Sequence, residues 1–354
     1  MSLLCIHIRD KNLVRYLRLL LCLPPKTDLR NRSVCGIYTS YTSIVLPLQM
    51  ARPSRLALAQ HDILALFTKN PKKIYSKMQL AELLAEHRSS WHLTPSTNPT
   101  DFIAFLTKHG DLRVRRLRSK AYGQEIVRYS WGEASPYELA LSIKPRAYLC
   151  HATALLLHGL TAGNSKKIFI NVEQSAKPSQ TSLLTQDGID LAFSRQQRQS
   201  KLVYTYSGTS VTVIAGKNTN RLGVESMTNN GSLPYPTTNT ERTLIDIVVR
   251  PAYAGGIINV LEAYRAAKNR VSVEGLLAIL AELNHQYPYH QAIGFLMQTA
   301  DYPPLAYEPL RAKGLNYDFY LTHDIKHKEY SKEWRLYYPK EIRASQSAIF
   351  PPRA

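Results

Sequence analysis

The chain has 354 residues, is 44% hydrophobic, and carries 45 Lys plus Arg against 26 Asp plus Glu, which gives a net charge of +19. This composition excludes an intrinsically disordered chain and a collagen-like repeat. The length exceeds what one hydrophobic core usually organises, so we expect two or three domains.

The amino-terminal stretch holds the longest apolar run, at residues 19–23. It is far shorter than the roughly 20 residues that a membrane span needs, so the sequence predicts a soluble protein with no membrane partner. The cysteines show no CxxC pair and no zinc-binding spacing, and they stand at positions 5, 22, 35 and 150. This pattern favours neither a disulfide framework nor a zinc ribbon, and we expect a cytoplasmic protein.

Residues 1–49 have no clean helical or strand period, whereas a well-patterned run begins at Met50. Two interpretations of this segment stay open. Met50 is the working start and residues 1–49 are upstream sequence, or they form a basic, poorly ordered arm.

Three helices are predicted between residues 54 and 110. The first carries an apolar stripe that includes Ile63 and Phe67, and the second begins after Ser76, a residue type that caps helices well. The third begins within residues 94–101, where two prolines leave its start open, and it ends at Gly110.

After Gly110 the apolar period changes to two, which is typical of strands. One strand carries Leu112 and Val114, a second carries Val127 and Trp131, and residues 119–123 join them as a hairpin. Three helices followed by a hairpin is the order of a winged helix-turn-helix, which we assign to residues 50–134.

Basic residues are concentrated in this hairpin, where Glu125 is the one acidic residue between positions 113 and 128. The cations of that segment are Arg113, Arg115, Arg116, Arg118, Lys120 and Arg128. Such a density of like charge favours a polyanionic partner, so the sequence predicts binding to double-stranded DNA. The alternative is a solvated basic face on a domain that binds protein.

Ten residues are candidate DNA contacts. At the start of the third helix, where a recognition helix reads base edges, they are Ser96, Thr97, Asn98 and Thr100. Those assigned to phosphates are Lys108, Arg113, Arg115, Arg116, Arg118 and Lys120.

Residues 135–354 mix helical and strand-like segments, with a possible subdivision near residue 237. We predict a helix over 148–158, strands at 168–172, 203–206 and 211–214, helices from Thr238 onward, and strands at 317–321 and 334–338. The fold class is therefore α+β, a winged helix-turn-helix followed by a larger mixed α/β carboxy-terminal domain.

No catalytic motif stands out. GxSxG and the phosphate-binding P-loop are missing, and the pairs His151/His158 and His323/His327 lack the HExxH arrangement. Cys150 beside His151 is interpreted as a core cysteine. The charged set at 241–250 is interpreted as structural, with Glu241 in a capping box and Asp246 paired to Arg250. We predict no cofactor, no metal and no catalytic residue.

Several segments together resemble the AbiEi-type antitoxins of bacterial abortive-infection systems, which are classed as type IV toxin-antitoxin systems. These segments are RYSWG (128–132), YLCHATA (148–154), LHGL (157–160), GKNT (216–219), TERTLID (240–246), RPAYAGG (250–256), YPYHQAIGF (287–295) and WRLY (334–337). The resemblance spans about residues 50 to 342.

The resemblance implies a bacterial cytoplasmic antitoxin whose winged helix binds operator DNA and represses its own operon. Its carboxy-terminal domain would counteract a nucleotidyltransferase toxin, without needing a direct complex. The toxin's own signature, Gly-Ser followed by paired aspartates, is missing here, because residues 163–165 lead into Lys166 and Lys167.

Two other functions stay open. One is a metal-dependent nuclease that the winged helix delivers to DNA, with Glu173 or Asp246 as its carboxylates. The other is a transcription factor whose larger domain binds a small effector.

Overall fold

The computed structural model describes residues 53–162, 166–176, 183–228 and 234–347, with side chains as far as Arg343. The proposed leader, 1–49, and residues 163–165 lie outside these ranges. The helices are α1 (Arg55–Leu58), α2 (Gln60–Lys69), α3 (Lys77–His87), α4 (Pro99–His109), α5 (Pro136–Leu141), α6 (His151–Leu157), α7 (Gln186–Phe193), α8 (Thr240–Val249), α9 (Ile257–Ala267), α10 (Val273–Leu283), α11 (Tyr289–Thr299), α12 (Pro304–Arg311) and α13 (Lys340–Ser347).

The strands form two sheets. They are β1 (Ile74–Tyr75), β2 (Leu112–Ser119), β3 (Glu125–Trp131), β4 (Tyr148–Leu149), β5 (Lys167–Glu173), β6 (Val203–Tyr206), β7 (Thr209–Gly216), β8 (Val224–Met227), β9 (Tyr235–Thr238), β10 (Phe319–Tyr320), β11 (Lys328–Ser331) and β12 (Leu336–Pro339). The mixed α/β architecture expected from the sequence is confirmed.

The amino-terminal part follows the order α2-β1-α3-α4-β2-β3, and its predicted helices and hairpin are confirmed. Helix α3 begins with a capping box, in which the Ser76 hydroxyl accepts from the Gln79 N–H and the Gln79 side chain accepts from the Ser76 N–H. The apolar stripes of the three helices meet in one core with Trp131 of the hairpin. Strand β1 pairs with β3, and β3 pairs with β2.

The outer edge of β2 is occupied as well. Arg118 and Ser119 pair with Thr205 and Tyr204 of β6, which makes the hairpin part of a nine-stranded sheet with the order β1-β3-β2-β6-β7-β5-β4-β9-β8. Strands β5 and β7 at its centre run parallel. The predicted boundary between residues 134 and 135 falls between β3 and α5, and the sheet continues on both sides of it.

The carboxy-terminal helices α8 to α12 pack around the largest core. The second sheet, with the order β10-β12-β11, is held to α11 by the buried amide of Gln291, which donates to the carbonyl oxygens of Trp334 (2.8 Å) and Tyr317 (3.0 Å). The Trp334 ring lies directly over Gly294, where an added Cβ would be 2.1 Å from it. Only glycine lets the ring approach that closely.

The helix predicted over 148–158 is partly wrong. Tyr148 and Leu149 form β4, which pairs with β5 and β9, and Cys150 is extended, so that α6 begins at His151. A short apolar run suits a buried strand as well as a buried helix, and here the sheet takes its first residues.

Within the described residues, no helix is both long and apolar enough to cross a membrane.

Candidate nucleic-acid interface

Helix α4 starts at Pro99, which resolves the two possible starts that the prolines left open. Asn98 is its N-cap: the side-chain oxygen accepts from the Asp101 N–H (2.9 Å), and the side-chain nitrogen donates to the Asp101 carboxylate (2.8 Å). Proline suits this first position because its missing N–H would have no helical partner. The Asn98 side chain is therefore engaged in holding the helix start.

Ser96 and Thr97 lie in the turn before α4, not in the helix. Both hydroxyls are within hydrogen-bond distance of the Thr94 hydroxyl, at 2.9 and 3.2 Å. The Arg88 guanidinium fixes this turn by donating to the carbonyl oxygens of Thr94 (2.6 Å) and Thr97 (3.1 Å). The turn is thus ordered by its own side chains and by α3.

The exposed residues of α4 include three short side chains as well as the charged Asp101 and Lys108. Thr100, Ala104, Thr107 and Lys108 recur at helical spacing and are exposed, while Phe102 and its apolar neighbours are buried on the opposite side. Short side chains let a helix backbone approach a groove closely. The sequence had identified Thr100 and Lys108 here. It missed Ala104 and Thr107, although counting from a start at Pro99 would have found them.

The hairpin cations divide between two faces, because successive residues of a strand point to opposite sides of the sheet. Arg113 and Arg115 share a face with Leu117, which is fully buried, whereas Arg116 and Arg118 lie on the other face with the exposed Val114. The sequence had grouped all four as one phosphate-binding set.

Arg115 is held inside the structure. Its guanidinium donates to the Ser130 hydroxyl (2.7 Å) and to the Tyr206 hydroxyl, and it lies 5.7 Å from the centre of the Tyr206 ring. Arg113 forms ion pairs with Asp111 (2.9 Å) and with Glu133. Arg115 is therefore enclosed by the protein, whereas Arg113 is 45% exposed but pairs with two carboxylates.

Arg116 and Arg118 have side chains that are open to solvent. Their side chains are 58% and 74% exposed, and both pair with the Glu125 carboxylate, at 2.6 and 3.2 Å. The hydrogen bond from Arg116 is the main cause that lowers the pKa of Glu125. Exposed ion pairs contribute little to stability, so a phosphate can replace this carboxylate as the partner.

The hairpin tip adds a third cation. Lys120 is exposed in the turn after β2, and the Tyr122 side chain beside it is 58% exposed. We name Arg116, Arg118 and Lys120 the open cations. Arg128 does not join them, because its guanidinium donates to the Ser142 carbonyl oxygen (2.8 and 3.0 Å) and ties the hairpin to the segment after α5.

The residues singled out for other chemistry have structural partners. His158 lies 2.7 Å from the Thr238 carbonyl oxygen, and the His323 ring stacks on Phe193 with 4.2 Å between ring centres. Cys150 is fully buried, and burial raises the pKa of its thiol. Among the described residues, no group of three or more His, Cys, Asp or Glu side chains is placed to hold a metal ion.

The charged residues at 241–250 have ion-pair and hydrogen-bond partners that differ from the prediction. Asp246 pairs with Arg242 (2.8 Å), not with Arg250, and the pair is almost completely buried. Glu241 accepts from the Ser272 N–H (2.9 Å) at the start of α10, while Asn239 caps α8. The spacing correctly predicted an ion pair between residues four apart, but the tertiary structure determines which two residues form it.

No known protein-family model matches the chain, and a comparison with curated proteins found no match. Among solved structures, the crystal structure of the RV2827C protein from Mycobacterium tuberculosis is similar, with a TM-score of 0.52 and 16% sequence identity. The match covers 84% of this chain and 95% of that one. At this identity the likeness shows a shared fold and nothing about activity.

Proposed function

We propose that the protein binds double-stranded DNA through a winged helix-turn-helix, with α4 as the recognition helix and the β2-β3 hairpin as the wing. The observation that carries the proposal is the α2-β1-α3-α4-β2-β3 order with the sheet order β1-β3-β2, joined to an exposed α4 face and the open cations. Helix-turn-helix proteins place such a helix in the major groove.

In this proposal the residues have separate tasks. Arg116, Arg118 and Lys120 neutralise phosphates, and the released counterions make binding dependent on salt. Thr100 and Thr107 face the groove, and Lys108 contacts the backbone farther along the helix. Arg115 supports the hairpin instead, because it is largely enclosed and held by Ser130 and Tyr206. Arg113 is balanced by two carboxylates, Asp111 and Glu133, whereas Arg116 and Arg118 share one.

The proposal extends to a bacterial antitoxin that represses its own operon and counteracts a nucleotidyltransferase toxin. That part is supported by the sequence resemblance alone. It is tested by reading the neighbouring genes for a nucleotidyltransferase and, where one is present, expressing it together with this chain, with restored growth as the expected result. DNA binding without any such neighbouring gene would favour the effector-responsive transcription factor instead.

The DNA proposal is tested by fluorescence anisotropy with a duplex from the promoter of its own gene, titrated at several salt concentrations. Replacing Arg116 and Arg118 with Ala removes two phosphate contacts, so we expect the slope of log affinity against log salt to flatten by about one to two units. The matched control is Arg195→Ala with Arg198→Ala, which removes two exposed positive charges outside the hairpin and leaves the slope unchanged.

Two results would count against this proposal. If the double variant binds the duplex as the parent does, the open cations do not grip phosphates, and a basic face for a protein partner becomes the better explanation. If plasmid DNA is cleaved with magnesium or manganese, and cleavage is lost on substitution of Glu173 or Asp246, the chain is a nuclease.

A further inference from the structure

A cavity of about 180 Å³ opens where the parallel strands β5 and β7 end. Asn171 of β5 and Gly216 of β7 form its floor, and α8 and the end of α10 close its sides. Gly216 lies so close to Asn171 that an added Cβ would be 2.5 Å from the side-chain oxygen. Ligands of α/β proteins bind at the carboxyl ends of parallel strands, so this is a position where a site is expected.

Two histidines of the cavity wall, of which His151 is buried and His285 half-buried, each have a buried ring nitrogen without a described partner. They are Nδ1 of His151 and Nε2 of His285. Burial is the main cause that lowers the pKa of both imidazoles, to about 4, so both are neutral at pH 7. A neutral imidazole donates one N–H, and a buried donor without a partner is costly.

The backbone of His151 is also unusual. Its φ of 51° is in the left-handed region, which costs a residue other than glycine of order 1–3 kcal/mol. The strained conformation places the imidazole in the wall of the cavity at the first residue of α6. Strain of this kind concentrates at binding sites.

Positive charge prevails in the cavity. Lys217, Arg242 and Arg250 line it with one carboxylate, Asp246, so the lining carries 3 − 1 = +2. Asp246 is committed to Arg242. The nearest further carboxylate, Glu173, is not in the lining and accepts hydrogen bonds from the Thr219 hydroxyl and the Arg221 N–H.

The cations that Asp246 leaves uncompensated are Lys217 and Arg250. Lys217 donates to the carbonyl oxygens of Leu283 (2.9 Å) and Asn284 (3.3 Å), which orients it without neutralising its charge. The Arg250 guanidinium has no hydrogen bond or ion pair to any other residue that the structure describes. Lys217 is exposed to solvent, whereas Arg250 is half-buried, and a partly buried cation is normally paired.

We propose that this cavity binds a small phosphate-class oxyanion, held by Arg250 and Lys217 and by N–H groups of His151 and His285. Arginine offers a fork of donors that matches phosphate oxygens, and a neutral imidazole adds a donor without repelling the cations. The volume suits an ion with a few waters, since a water occupies about 30 Å³, and it is below the roughly 300 Å³ of pockets that enclose a nucleotide-sized molecule. This site lies outside the proposed DNA interface and does not depend on it.

The test is thermal unfolding of the full chain with inorganic phosphate against chloride at constant ionic strength, together with isothermal titration of phosphate. We expect binding of one phosphate per chain and a rise in Tm of about 2 to 4 °C once phosphate exceeds its Kd tenfold. In Arg250→Gln the phosphate-dependent rise disappears, whereas the Tm in chloride stays the same or increases because a repelling cation is gone.

Arg198→Gln is the matched control, since Arg198 is exposed and outside the cavity, and it keeps the full response. Arg250→Lys restores part of it, which separates loss of charge from loss of folding. Three results would overturn the proposal: no difference between phosphate and chloride, an unchanged response in Arg250→Gln, or a loss of the response in Arg198→Gln.

Discussion

The hairpin and the cavity are both rich in arginine, but the ion pairs of the hairpin are exposed whereas the ion pair of the cavity is buried. In the hairpin, Arg116 and Arg118 share Glu125 at the surface, where water and salt weaken the pairs. In the cavity, Arg242 and Asp246 are almost completely buried, at 7% and 14% exposure, so few waters can replace a partner that is lost. The exposed arginines are free to exchange partners, whereas the buried pair shapes its surroundings.

The largest expected effect comes from breaking the buried pair. Asp246→Asn leaves the Arg242 charge without a counterion, so we expect the free energy of unfolding to fall by about 3 kcal/mol, as for other buried pairs that lose one partner. Denaturant unfolding measures it. Glu125→Gln, which breaks the exposed pairs, should leave the unfolding midpoint almost unchanged, and equal losses in the two variants would remove the contrast between the regions.

The second-largest expected effect is a fall in the free energy of unfolding at acid pH, caused by the two histidines of the cavity. His151 and His285 have pKa values of about 4 in the folded chain and about 6.5 when unfolded. Protons therefore favour the unfolded chain: the stabilisation is complete above pH 6.5 and is lost as the pH falls toward 4. Each histidine contributes a loss of about 2 kcal/mol by pH 5.

Unfolding of the parent chain and of His285→Gln between pH 7.5 and 5 checks this prediction. The variant should lose less stability across that window than the parent does. If the two pH profiles have the same slope, His285 is not a neutral buried imidazole.

The smallest effect concerns the exposed pairs. Glu125→Gln frees both open arginines and removes a carboxylate that would repel phosphates, so we expect duplex DNA to bind about threefold to tenfold tighter at low salt. The gain should shrink as salt rises, because the charges involved are exposed. Anisotropy titrations at two salt concentrations measure it, and weaker binding by the variant would mean that Glu125 orders the arginines for their ligand.

Much of the local structure was predictable. Ser76 marks the start of α3 through its capping hydroxyl, and the period of two in the sequence identified β2 and β3. Partners across the fold were not predictable. Nothing in the spacing of Asp246 distinguishes Arg242 from Arg250, since both are four residues away in the sequence. Arg250 proves to lie just after the end of α8, with a non-helical backbone.

The same limit applies to the candidate sites. The sequence identified the hairpin cations as a set, but the direction of each side chain depends on which face of β2 packs on the protein. The cavity escaped prediction because its wall comes from His151, Gly216, Arg250 and His285, which are far apart along the chain. Each had an unremarkable local explanation.

By itself, the sequence determined the mixed architecture, several helix starts, the hairpin and the excess of positive charge, because these depend on residues near one another or on composition. Tertiary structure alone decided that β2 joins β6 in a shared sheet, that Arg115 is enclosed while Arg116 is open, and that uncompensated cations meet two neutral histidines. Burial and hydrogen-bond partners are set by chain segments remote in sequence, and they decide whether a charge supports the fold or remains available to a ligand.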